Sequence, residues 1–247
     1  MARRPIVVLT ATVIVLTGCS TVDSADVRTS GLTGNVVASV PEGASYTDVD
    51  ASLTVGTLTF VQLGDGEKLT ASGGGKSVTL KRQKISGATS YRGRLAGVKD
   101  AGTEIVIDLQ RDGDNTSAPR SAVRLPETVR LEAPAAGARF SRARDDIRVR
   151  IASAPSKLPA LLTWAGPCIV AGSIDLEPGR TDVTISRGTL KPLTPASAGT
   201  TPPPASAATC QISLTVTRRS DGVLDPAFKN GSIRAESQST RQVTSAP

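Results

Sequence analysis

Apolar residues along this chain recur at every second position, in short runs separated by turn signals. Leu53, Val55 and Thr57 share one face and Leu58 and Phe60 the other. Val78 and Leu80 alternate with Thr79 and Lys81, and Ile105, Ile107 and Leu109 alternate with Val106, Asp108 and Gln110. After Pro119 a second series follows: Val129 and Leu131, then Ile147, Val149 and Ile151 separated by Arg148 and Arg150, then Leu161, Leu162 and Trp164, then 169–176 and 183–185. Further on, Cys210, Ile212, Leu214 and Val216 point one way, with Gln211, Ser213, Thr215 and Thr217 opposite, and a last strand is expected between Ser232 and Val243. A period of two in Val, Ile and Thr is the pattern of half-buried strands. Gly64-Asp65-Gly66, Gly73-Gly74-Gly75, Ser86-Gly87, Gly97 and Asp112-Gly113-Asp114-Asn115 punctuate it as turns. Outside the first twenty residues no stretch repeats apolar positions at helical spacing, so the fold class is all-β with little helix.

About seven strands in roughly 115 residues is the count of a β-sandwich. Residues 119–247 are therefore expected to form a C-terminal β-sandwich with a Pro-rich loop at 192–208. Residues 47–118 form an N-terminal β-unit, either a second, smaller body or part of the same sheets. Residues 19–46, polar and small from Ser20 to Asp26, are expected to be a flexible tether. Trp164 in the third strand of the second set, close to paired core cysteines, resembles an immunoglobulin-like domain over roughly residues 126–247. Two features depart from that family: Cys168 follows the tryptophan, and no tyrosine stands near Cys210.

Composition narrows the chemistry. The 247 residues include 29 basic and 22 acidic ones (net +7), no histidine, three cysteines, one Trp, two Tyr and three Phe. Lack of histidine removes Ser-His-Asp and Cys-His catalysis and the usual zinc sites. So few aromatics argue against stacking platforms for sugars or nucleic-acid bases. No nucleic-acid partner, cofactor or metal is expected.

Met1-Ala2-Arg3-Arg4 is a short basic start, followed by an apolar run from Pro5 to Thr17. That run is too short to span a membrane and has the form of a signal-peptide core. It ends in Leu16-Thr17-Gly18-Cys19, which resembles the lipobox of bacterial lipoproteins. The resemblance implies that residues 1–18 are removed, that Cys19 becomes the first residue of the mature chain, and that it carries acyl chains such as palmitate. Two or three acyl chains, at ~0.8 kcal/mol per buried CH₂, hold a folded domain on a bilayer. It further implies an exported protein anchored to the cell membrane or, because Ser20 and not Asp follows the cysteine, the outer membrane of a Gram-negative envelope. Processing removes Arg3 and Arg4 and no acid, leaving 27 basic against 22 acidic residues. A protein of that charge is drawn to anionic lipids or an anionic envelope polymer.

With Cys19 acylated, Cys168 and Cys210 are an even pair in an oxidising compartment, and a disulfide between them is expected. It closes a loop of about 43 residues, for which chain entropy gives roughly 4 kcal/mol.

Other constellations read as structure. Gly73-Gly74-Gly75-Lys76-Ser77 lacks the earlier glycine of a phosphate loop, position 70 being Thr, and joins two strands, so a hairpin turn is expected. Counting from Asp112, the twelfth position is Val123 where a calcium loop needs Glu. Asp65 and Glu67 read as a solvated turn, and Lys81-Arg82-Gln83-Lys84 and Arg139 to Arg150 as solvated strand faces. No Ser-x-x-Lys pair with catalytic context is found. The expectation is a non-catalytic, lipid-anchored binding or structural module of the cell envelope, presenting the 64–76 turns and the 190–208 loop to an envelope protein or polymer. Two alternatives stand: a lipoprotein capturing a small apolar or anionic molecule between its sheets, and a divergent exported hydrolase.

Overall fold

The computed structural model describes residues 20–57, 59–85, 87–113, 116–153, 156–193 and 209–247. The first half comprises β1 (Ser20–Asp23), β2 (Thr33–Pro41), β3 (Tyr46–Val55), β4 (Thr59–Gln62), β5 (Lys68–Gly73), β6 (Lys76–Thr79), β7 (Lys81–Ile85), β8 (Ala88–Ala96), β9 (Glu104–Gln110) and β10 (Ala118–Arg124). The second comprises β11 (Val129–Ala133), β12 (Arg139–Ser141), β13 (Ile147–Ser153), β14 (Ala160–Gly166), β15 (Ile169–Leu176), β16 (Asp182–Ile185), β17 (Cys210–Asp221) and β18 (Asn230–Ala246). Two single 3₁₀ turns, Ser24–Asp26 and Thr29–Gly31, lie between β1 and β2.

The strands build two β-sandwiches that share one long sheet. That sheet runs β1-β4-β3-β2-β18-β17-β14-β15, with β7 and β8 attached at β3 and β12 at β18. A four-stranded sheet, β10-β9-β5-β6, covers its first half, and a three-stranded sheet, β11-β13-β16, covers the second. Each half has its own core. Val36, Ala38, Val49, Leu53, Leu69, Ile105, Ile107 and Leu109 fill the first. Leu131, Val149, Ile151, Leu162, Trp164, Ile212, Leu214 and Val216 fill the second. These are the alternating positions of the sequence pattern, because alternate side chains of a strand face the same layer.

β18 ties the halves together. It lies parallel to β2 from Asn230↔Thr33 to Gln238↔Pro41, and antiparallel to β17 from Asp221↔Arg234 to Cys210↔Ser245. Ile233 and Ala235 belong to the first core and Val243 to the second. Between them Ser237 and Ser239 are buried, and their Oγ atoms accept the Val129 and Leu131 N–H groups at 3.0 and 2.8 Å. The serines thus satisfy backbone donors of β11 where the chain passes from one core to the other.

Two expectations are corrected here. The stretch 20–46 is no tether: it contains β1, both 3₁₀ turns and all of β2, and Leu32, Val36, Ala38 and Val40 are buried in the first core. Alternating apolar residues there pair with a strand two hundred residues away, which supplies the burial a local reading cannot see. Likewise β10, assigned by sequence to the C-terminal unit, pairs with β9, and its Ala118 and Val123 pack in the first core.

Candidate functional site

Gly73, Gly74, Gly75 and Lys76 form the expected hairpin. Gly73 pairs with Lys76, and the two central residues take φ of +55° and +72°, the left-handed conformation a two-residue loop requires.

In the preceding turn Asp65 and Gly66 are exposed, but the reading of Glu67 as part of a solvated turn is corrected. Glu67 is almost wholly buried beside Arg111, whose side chain is inaccessible to solvent. Arg111 Nε donates to Glu67, one Nη donates to the Ser24 and Val27 carbonyls at 2.8 and 3.0 Å, and the other donates to Thr29 Oγ1 at 3.2 Å. Ser24 Oγ donates to the other Glu67 oxygen, which also accepts the Gly64 N–H at 3.1 Å. Burial pushes the Glu67 carboxyl up, but the hydrogen bonds from Ser24, Arg111 and Gly64 and the Arg111 charge together hold it below its ordinary value. Glu67 and Arg111 therefore form an internal clamp that fastens the segment between β1 and β2 to β9's end. Sequence reading missed it because its partners are distant along the chain, and a buried charge pair has no local signature.

The Lys81-Arg82-Gln83-Lys84 cluster forms β7, which among the described residues is an edge strand paired only with β8, and all five of its residues are exposed. Ile85 ends it with 55% of its surface in solvent. β7 and β8 leave the sheet where β3 forks: β8 pairs with β3 at Tyr46–Ala51 and β4 at Thr54–Val55, on the same edge. Tyr91 fills the fork, its hydroxyl donating to the Val61 carbonyl and accepting the Leu63 N–H. Burial raises the Tyr91 pKa, although the Leu63 hydrogen bond and Arg82 oppose the rise. On the outer face of this sheet Arg92 and Arg94 pair with Asp50 and Asp48, and Arg94 stacks over the Tyr46 ring at 3.7 Å. These pairs are exposed and screened by solvent, so they add little to stability.

The basic stretch 139–150 is dispersed. Arg142 is buried next to the disulfide, donating to Ser245 Oγ at 3.0 Å, which corrects its reading as part of a solvated face. Arg148 is exposed and Arg150 approaches Asp182 at 3.7 Å. Asp145 and Asp146 accept backbone N–H groups from Ser141 and Arg187.

Cys168 and Cys210 are joined by the expected disulfide. Cys168 lies in the β14–β15 turn, its carbonyl accepts the Leu193 N–H, and Cys210 opens β17. Of the Pro-rich loop, Pro192 and Leu193 are described, with Pro192 bridging to Ile169. Residues 194–208 and Cys19 lie outside the described residues, as do Asp114 and Asn115. Among the described residues no group of three His, Cys, Asp or Glu side chains is placed to hold a metal ion.

A groove of about 510 Å³ on the outer face of the second half is lined by Leu158, Pro159, Leu161, Thr163, Thr217 and Arg219. A second of similar size lies where the halves meet, along Val40, Pro41, Lys99, Thr128, Val129 and Arg130. Both open on the surface and neither lies between the packed sheets.

No family model and no curated protein matches the chain. Among solved structures it is similar to a segment of two fibronectin type-III domains from chicken tenascin, at 12% identity and a TM-score of 0.25, over 86% of this chain and 98% of that one. It is also similar to the first three fibronectin domains of chicken CNTN1, at 10% identity and a TM-score of 0.22, over 83% of this chain and 64% of that one. A third similarity is to the CBD12 segment of CALX1.2, at 10% identity and a TM-score of 0.22, over 78% of this chain and 82% of that one.

Proposed function

We propose that this protein is a lipid-anchored lipoprotein of the bacterial cell envelope, acting as a non-catalytic binding or structural module. The observation that carries the proposal is the sequence Leu16-Thr17-Gly18-Cys19 at the end of a short apolar run behind two arginines. The fold supports it in two ways. Ser20, the residue after Cys19, is already paired with Thr59 in β1, so a chain cleaved before Cys19 keeps every described strand. In addition, several groups that stood out in the sequence serve the architecture: Glu67 is clamped by Arg111, Gly74 and Gly75 turn a hairpin, and Cys168 and Cys210 are bonded to each other. Function on such a scaffold resides in exposed edges and loops.

The test is metabolic labelling with radioactive palmitate in the native host, with membrane fractionation and crosslinking mass spectrometry, on wild type and Cys19→Ala. The wild type is expected to incorporate label, sediment with membranes and yield a specific crosslinked envelope component. Cys19→Ala is expected to lose all three. An unlabelled wild-type protein in the soluble fraction would defeat the anchor, and turnover of a substrate by the purified protein would defeat the non-catalytic role.

A further inference from the structure

We propose that the protein stands end-on upon an anionic bilayer, with the pole formed by Ser20, the β3–β4 turn and the β7–β8 hairpin tip at the membrane and the disulfide-bonded pole far from it. The proposal rests on the lipid anchor at Cys19 and adds the surface and orientation that anchor imposes.

The strand registers place one pole beside the anchor. Ser20 is opposite Thr59, which is opposite Val55, the last residue of β3. Thr54 is opposite Thr33, and Thr33 is opposite Asn230, the first residue of β18. β8 runs antiparallel to β3 up to Tyr91 opposite Ala51, so past that point it heads toward the Val55 end of β3, and Ala88 and its partner Ile85 lie on that side of Tyr91. Ser20, Gly56, Ile85 and Asn230 therefore share one end of the molecule. The other end is marked by Cys210, opposite Ser245. The length of β18 from Asn230 to Ser245 separates the poles by about 50 Å at ~3.3 Å per residue.

The proposed anchor is one residue from the sheet. Cys19 is covalently joined to Ser20, and Ser20 is held in β1 by the Thr59 pairing and by a 2.8 Å hydrogen bond between their hydroxyls. Acyl chains on Cys19 thus bring this pole to the headgroups. The pole suits that position chemically. Arg82 and Lys84 on one face of β7 and Lys81 on the other are exposed and form no ion pair among the described residues, and Lys229 is exposed next to Asn230. An edge strand bearing lysines also discourages edge-to-edge pairing, but that role does not call for an exposed isoleucine at the tip. Cations flanking a protruding apolar side chain match an anionic interface, where charge is attracted to headgroups and the apolar group enters the acyl boundary.

The test uses the full acylated chain, reconstituted on vesicles of phosphatidylcholine and phosphatidylglycerol with brominated acyl chains, which quench tryptophan on contact. Native Trp164, in β14 of the distal half, is expected to stay bright. Ile85→Trp is expected to add a strongly quenched component, whereas Val170→Trp, in distal β15, adds an unquenched one. Replacing Lys81, Arg82 and Lys84 by Gln in the Ile85→Trp chain is expected to relieve quenching on anionic vesicles, each lost cation weakening surface attraction about fivefold. Mass spectrometry of the same sample reports the Cys19 adduct. An acylated, vesicle-bound protein with an unquenched Ile85→Trp, or with Val170→Trp quenched equally, overturns the orientation and leaves the anchor standing. Lack of the adduct overturns both. Shielding of Ile85→Trp from an aqueous quencher in native envelopes, without quenching on lipid, assigns the pole to a protein partner and likewise overturns the proposal.

Discussion

In the first sandwich a polar clamp holds the incoming chain: Arg111 and Glu67, both buried, gather Ser24, Val27 and Thr29 into the space beside β9. In the second, a covalent bond between Cys168 and Cys210 joins the β14–β15 turn to the start of β17, closing a loop that contains β15 and β16. Both devices join segments that are far apart in sequence, and each sits at one end of its half. They differ in what removes them. A buried ion pair is broken by protonation or by loss of one charge, whereas a disulfide is broken only by reduction. The difference also follows position along the molecule: the clamp lies in the half nearer Ser20, the disulfide in the half farther from it.

The comparison breaks most sharply at Arg111. Arg111→Ala strips Glu67 of its buried counter-charge and leaves three main-chain and side-chain acceptors of the 24–29 segment without their donor. The expected loss is about 3–5 kcal/mol in denaturant unfolding. Arg111→Lys should restore only part of it, because an ammonium cannot reproduce the planar fork that serves four acceptors.

Removing the other device costs less. Cys168→Ala/Cys210→Ala is expected to lower stability by at most about 4 kcal/mol through loop entropy. The signature is that dithiothreitol lowers the melting temperature of the wild type and leaves the double variant unchanged. Equal sensitivity of both would show that the bond does not stabilise the second half.

Smaller still is the effect of Gly172→Ala. A Cβ built at Gly172 would lie 2.5 Å from Trp164 Cζ2, so the indole must shift, at about 1–3 kcal/mol for overpacking. Altered Trp164 fluorescence in the folded variant checks the mechanism.

The gentlest probe is pH. The Glu67 carboxyl lies below its ordinary value of 4.5 in the folded chain. Its stabilising contribution is therefore complete above about pH 4.5 and is lost as pH falls through the lower folded value. Amide exchange of residues 24–32 is expected to rise on acidification before that of β14 and β17 does. Glu67→Gln should remove the acid dependence while leaving the second half's exchange unaltered.

Much of the fold was legible locally. Ile105, Ile107 and Leu109, Ile147, Val149 and Ile151, and Ile212, Leu214 and Val216 alternate so regularly that their burial follows from the geometry of a strand. β2 was equally readable in principle through Val36, Ala38 and Val40, but the polar residues before it suggested a tether. β18 was harder, because Ser237, Ser239 and Ser245 are buried polar residues whose hydroxyls find partners only across the sheet. The Glu67–Arg111 clamp had no local signal at all.

By itself, the sequence determined the class of fold, the strand faces, the turn at Gly74-Gly75 and the pairing of the two core cysteines. Each of these follows from chemistry within a few residues or from the count of a residue type. Only the tertiary structure decided that the two cores share one sheet, that β18 lies parallel to β2, and that Ser20 and Ile85 come to the same pole. Those outcomes depend on which distant strands supply each other's hydrogen bonds and burial. The period of two says which way a side chain faces and is silent on which strand lies beside it.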